Sequence, residues 1–108
     1  MTARNQDFEI FRGDHARLMF NTEIDNLDQT EIVWKAVSMG KGGDIVIRKE
    51  ETITVDDFDI IVELLPEDTI DLNGRYRHEL RIRDGIGNVS TIAKGKMLVT
   101  KTVINFEV

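Results

Sequence analysis

The chain has no cysteine, which excludes a disulfide framework, a thiolate metal centre, a cysteine nucleophile and a redox pair together. Proline occurs once, at Pro66, and the aromatics are few, with one Trp, one Tyr and five Phe. A core will claim most of those rings, leaving little for a sugar-stacking platform. No stretch approaches the ~18 consecutive apolar residues of a membrane-spanning helix. The amino end, Met1-Thr2-Ala3-Arg4-Asn5-Gln6-Asp7, lacks the apolar segment of a signal peptide, so the expectation is a chain made and folded in a cytoplasm. Positive charge is the minority: 14 Lys and Arg stand against 20 Asp and Glu, a net charge of -6. That field repels phosphate backbones and anionic lipid, so neither nucleic acid nor membrane is an expected partner.

What is present is a chain of 108 residues that is 41% hydrophobic and 31% charged, too apolar for disorder and of a length that supports one core. The expected organisation is a single domain over 1–108 with its core at about residues 8–103. Its apolar residues alternate with period two. In Arg75 to Arg83, Tyr76, His78, Leu80 and Ile82 share one face, while Arg75, Arg77, Glu79, Arg81 and Arg83 share the other. A helix would scatter those arginines around its circumference, so this is a long strand with one wet side.

The same test gives a strand at Glu31 to Val37, with Ile32, Trp34 and Ala36 on one face. Phe8, Ile10 and Phe11 mark a first strand ended by a Gly13-Asp14 turn, and Arg17 to Thr22 places Leu18 and Phe20 together. Asp25 to Gln29 reads as a loop and Lys41-Gly42-Gly43-Asp44 as a turn. Asp44 to Lys49, carrying Ile45 and Ile47, is a short strand, and Ile53 to Val55 a weak edge. Asp59 to Leu64 is more apolar than the other strands, as a central or doubly covered strand would be; Pro66 stops it, and Glu67 to Asp71 forms a helical turn. Asp84-Gly85-Ile86-Gly87-Asn88 is a hairpin leading into Val89 to Ala93. A last strand runs from Lys96 to Val103, and Ile104 to Val108 extends it or leads towards a neighbour. Seven or eight short strands with no long helix predict an all-β, two-sheet sandwich.

Candidate chemistry is sparse. His78, on an inward face between Tyr76 and Leu80, reads as a neutral core histidine with a bonded ring nitrogen, not a catalyst. His15 stands in a turn with no cysteine or histidine near it in sequence, so no zinc centre is expected. Carboxylates gather at Asp56-Asp57-Asp59 and Glu67-Asp68-Asp71, but their spacing matches no calcium loop and they read as solvated. Arg12-Gly13-Asp14 reads as turn chemistry. No phosphate loop, serine elbow or paired acid with a base appears, so neither an enzyme nor a cofactor is expected, and no small-molecule substrate. The arginine stripe of Arg75, Arg77, Arg81 and Arg83 is the one basic feature: a solvated face with acidic cross-strand partners, or a docking surface for a partner or another subunit.

Asp71-Leu72-Asn73-Gly74-Arg75-Tyr76 resembles the tyrosine corner of immunoglobulin-like sandwiches, in which a tyrosine at a strand start bonds backbone upstream. In that resemblance His78 takes the place of a core cysteine, Trp34 that of the buried tryptophan, and Phe20 with His78 replaces a disulfide by packing. The structural core is then Phe20, Trp34, Tyr76, His78, Leu80 and Ile82, in an immunoglobulin-like β-sandwich of about seven or eight antiparallel strands.

The wider pattern comprises Phe8-Glu9-Ile10-Phe11-Arg12-Gly13-Asp14, Leu18-Met19-Phe20, Leu65 through Thr69, Asn73-Gly74-Arg75-Tyr76, Asp84 with Gly87-Asn88-Val89-Ser90-Thr91-Ile92, and Gly95-Lys96-Met97-Leu98-Val99. It resembles the amino-terminal immunoglobulin-like domain of the baseplate upper protein family of tailed bacteriophages, over about Phe8 to Val99. The resemblance implies a non-catalytic structural adaptor of a phage or prophage tail or baseplate, located in the virion. Its partners would be other tail or baseplate proteins or copies of itself. A carbohydrate-binding or adhesin-type sandwich that recognises a host surface is the alternative.

Overall fold

A computed structural model describes residues 4–22, 30–40, 43–50, 53–56 and 58–102. The loop at Asp25 to Gln29, the Lys41-Gly42 half of the second turn, Asp57, and the tail beyond Thr102 lie outside the described residues.

Among the described residues, nine strands and one helical turn follow in order: β1 (Arg4–Asn5), β2 (Phe8–Phe11), β3 (Ala16–Asn21), β4 (Glu31–Ser38), β5 (Ile45–Lys49), β6 (Ile53–Asp56), β7 (Asp59–Leu64), α1 (Pro66–Thr69), β8 (Gly74–Arg83) and β9 (Val89–Thr100). They form two layers. The larger sheet runs β1-β9-β8-β4-β5, with β2 also on β9, and the smaller runs β3-β7-β6. This is an immunoglobulin-like β-sandwich with almost no helix.

Alternation in the sequence becomes alternation in burial. Along β8, Tyr76, His78, Leu80 and Ile82 are buried, and every arginine between them is exposed. β7 is the middle strand of its sheet. Ile60, Val62 and Leu64 enter the core, and the outward Ile61 is still only 9% exposed, hence the apolar run from Ile60 to Val62. The core joins both layers: Leu18, Phe20, Ile60, Val62 and Leu64 from one meet Trp34, Leu80, Ile92, Met97 and Val99 from the other. At about 25 cal/mol per Å2 of apolar surface removed from water, this burial is what holds the sheets together.

Four features differ from the sequence reading. The chain after the hairpin is one strand of 12 residues, not two, because Gly95 continues the ladder where a break was expected. Its lack of a side chain is used for close approach: a Cβ there would overlap the Gln6 carbonyl oxygen and come within 2.7 Å of Asp7 Oδ1. Second, the opening segment is two strands, and both pair with β9 in parallel, so the ladder is not wholly antiparallel. Third, Ile45 does not share the buried face of Ile47; it is 54% exposed against 5%. A register shift between Ala36 and Val37 sets Ala36 opposite Ile47 but Val37 opposite Ile45, turning Ile45 outward. Fourth, Pro66 opens α1 instead of only ending β7, since a first helical position needs no N–H donor.

Candidate functional site

The two faces of β8 separate the protein's two polar constellations. On the inner face, His78 is surrounded by rings: Phe8 at a centroid distance of 4.7 Å, and Phe20 and Trp34 each at 6.1 Å. The Phe20–His78 contact spans the gap between the sheets. Both ring nitrogens are engaged. Trp34 Nε1–H donates to Nδ1 at 3.3 Å, so Nδ1 carries no proton and Nε2–H donates to the Gln6 carbonyl at 2.5 Å. Burial holds the His78 pKa below the ordinary histidine value, outweighing the opposing pull of the Gln6 carbonyl and the Asp7 carboxylate. A neutral imidazole with both nitrogens occupied has no free lone pair for a metal or for general base work.

Gln6 itself clasps the sandwich. Its backbone N–H donates to the Lys94 carbonyl and its side-chain amide donates to the Met19 carbonyl on the opposite sheet at 3.0 Å. Asp7 Oδ1 accepts the Lys96 N–H at 2.8 Å. Sequence reading offered no sign of this clasp, because its polar partners lie up to 89 positions apart.

At the strand start, Tyr76 bonds as a tyrosine corner does. Its hydroxyl accepts the Asn73 N–H at 2.9 Å and donates to the Asn73 carbonyl at 3.2 Å. Nearby, the buried Thr69 hydroxyl accepts the Gly13 N–H at 2.9 Å. That bond holds the Arg12-Gly13-Asp14 turn, whose Gly13 has φ 81°, against α1. Asp84 Oδ1 accepts N–H groups from Ile86 and Asn88; these bonds, the Asn88 one foremost, lower its pKa.

One carboxylate of each cluster is held by a partner, Asp59 in the first and Asp68 in the second. Asp68 accepts the Leu65 N–H at 2.7 Å and pairs with Lys49 Nζ at 2.8 Å, a bridge that sequence reading missed. Asp59 accepts from Asn21. His15 Nε2 meets Glu63 Oε1 at 2.6 Å. Among the described residues no three His, Cys, Asp or Glu side chains are grouped to hold a metal ion.

On the outer face the arginine stripe is the centre of something wider. A shallow groove of about 980 Å3 runs across β4, β5, β8 and β9. Seven basic side chains line it against four acidic ones. Three of the bases are paired: Arg83 with Glu31 at 2.6 Å, Arg81 with Glu79 at 3.4 Å, and Arg48 with Glu50. Lys35, Arg77, Lys94 and Lys96 make no ion pair with a described residue. Strand register sets like charges directly opposite each other, Lys35 beside Arg48 and Arg77 beside Lys96, an arrangement that costs a sheet stability. Arg75 lies on the same face of β8 but outside the groove. Val33 and Val37 are half-buried among the charges, and Met39 and Val89 are 44% and 49% exposed. The groove therefore offers cations and small apolar contacts, with no aromatic side chain outside the buried His78 ring.

Neither a protein-family model nor a curated protein matches the chain. Solved structures do, in 193 chains, so the fold is a widely used one. Among them is a structure of Clostridium thermocellum CbhA fibronectin(III)-like modules, at 12% identity and a TM-score of 0.50 over 94% of each chain. At that identity the likeness shows the fold alone: this chain is similar to a fibronectin(III)-like module in its immunoglobulin-like sandwich.

Proposed function

We propose that the chain is a non-catalytic structural adaptor of a phage or prophage tail or baseplate, and that it joins neighbouring proteins through the outer face of its larger sheet. One observation carries the reading. That face carries four cations that pair with no described acid, Lys35, Arg77, Lys94 and Lys96, and register holds two of them, Arg77 and Lys96, directly opposite each other. Repulsion of this kind is relieved when an acidic surface covers it. The motif pattern from Phe8 to Val99 supplies the phage context. Both histidines stand in structural pairings, His78 with Trp34 and Gln6 and His15 with Glu63, which supports a role without catalysis. Many copies around a symmetric tail would make individually weak contacts strong.

A carbohydrate-binding role draws less support, because the exposed rings among the described residues are Phe11, on β2 of the larger sheet, and Phe58, in the turn before β7 of the smaller one, and they form no shared platform. A binder on a glycan array would overturn the adaptor reading in its favour.

The test is to purify tailed particles from the producing cells on a density gradient and label them with antibody to this chain. The chain should band with intact particles and the label should decorate the tail. A chain confined to the soluble cell fraction and absent from particles would overturn the proposal.

A further inference from the structure

The two broad faces of the sandwich carry opposite charge, and each has the like-charge register that the other would relieve. On the front, the outer face of the larger sheet, seven bases stand against four acids. On the back, the outer face of the smaller sheet, Asp59 and Glu63 alternate with Ile61 on β7. Asp56 stands directly opposite Asp59, and Arg17 opposite Glu63 is the one base on these strands' outer face. On the edge strand β3, beside Ile61, sits Met19, 55% exposed. Apolar contacts therefore also exist on both sides: Met19 behind, Val33 and Val37 in front.

We propose that the front of one copy takes the back of a second copy, so that the protein stacks front to back. The inference rests on the assembly reading above and names the partner as this chain itself. Charge complementarity selects that partner: Arg77 and Lys96 need anions, and the same molecule presents Asp56 and Asp59 on its other side. Because front and back differ, the contact is heterologous. It leaves a free front and a free back on every pair, and it propagates into an open stack or closes as a ring instead of ending at a two-fold dimer.

Sedimentation velocity on the whole chain tests this, at about 20 mM and about 500 mM salt, where screening of surface charge differs most. The wild type should form species larger than a dimer at low salt, and association should weaken about tenfold or more at high salt. A front variant, Arg77→Glu with Lys96→Glu, and a back variant, Met19→Lys with Asp56→Lys, should each be monomeric. All four positions are exposed, and an unchanged thermal melt verifies folding. Mixed together, the two variants should form a heterodimer and nothing larger, since each retains one intact face. A wild type that is monomeric at low salt overturns the stack, as does a dimer that the back variant leaves intact. Retention of a monomeric chain on a sulfated polysaccharide would assign the front to a polyanion and equally overturn it. A monomeric chain that is nevertheless found in tail particles would sink the stack and leave the adaptor reading standing.

Discussion

Trp34 and His78 lie on adjacent strands, β4 and β8, and are joined by an N–H to Nδ1 bond of 3.3 Å in the centre of the core. Trp34 is wholly buried, so its N–H has no water to turn to. The bond fixes the tautomer of His78, and through Nε2–H the same ring anchors Gln6 and the entering chain. Rings and two hydrogen bonds, without a disulfide, occupy this centre of the core.

Truncation of Trp34 removes the largest side chain of the core. Trp34→Ala should lower unfolding free energy by about 3–5 kcal/mol, measured by urea denaturation. Trp34→Phe retains much of the packing but strands His78 Nδ1, and should cost less than the alanine.

Protonation of His78 places an N–H against the Trp34 N–H. Its folded pKa lies below the ordinary value of about 6.5, whereas the unfolded chain titrates there. The contribution is therefore complete above that pH. As pH falls below about 6.5 the unfolded state takes up the proton first, and stability declines by up to about 1.4 kcal/mol per pH unit until the folded pKa is passed. Denaturation curves between about pH 7.5 and 5 should show this slope, and His78→Met should flatten it.

Tyr76→Phe removes two bonds to Asn73 while keeping the ring in place. The expected loss is about 1–2 kcal/mol, read from thermal or urea unfolding. Faster hydrogen exchange at the Asn73 amide should accompany it.

Much of the architecture could be read before any coordinates were known, and the reason lies in single strands. β8 states its two faces residue by residue, and β7 states its central position through the apolar run from Ile60 to Val62. The rest depends on pairs that sequence does not specify. Gly95 looks like a break until Gln6 is seen crossing it, and Ile45 looks buried until the β4–β5 register shifts. The arginine stripe was legible on β8. Its extension to Lys35, Arg48, Lys94 and Lys96 was not, because it arises from the register of four strands.

Gly95→Ala tests the clasp directly. The added methyl has no room beneath Gln6 and Asp7, and overpacking of this kind costs about 1–3 kcal/mol. Because the strain falls on the β1–β2 junction, hydrogen exchange should accelerate at the Gln6 and Lys96 amides before the β3–β7 ladder responds.

The parallel pairing of β1 and β2 with β9 has a mechanical consequence. Arg4 sits beside Ala93 and Phe11 beside Thr100, so Arg4 and Thr100 occupy opposite ends of the ladder. Tension applied between those two residues loads its hydrogen bonds side by side, in shear, and they must yield together instead of peeling one at a time.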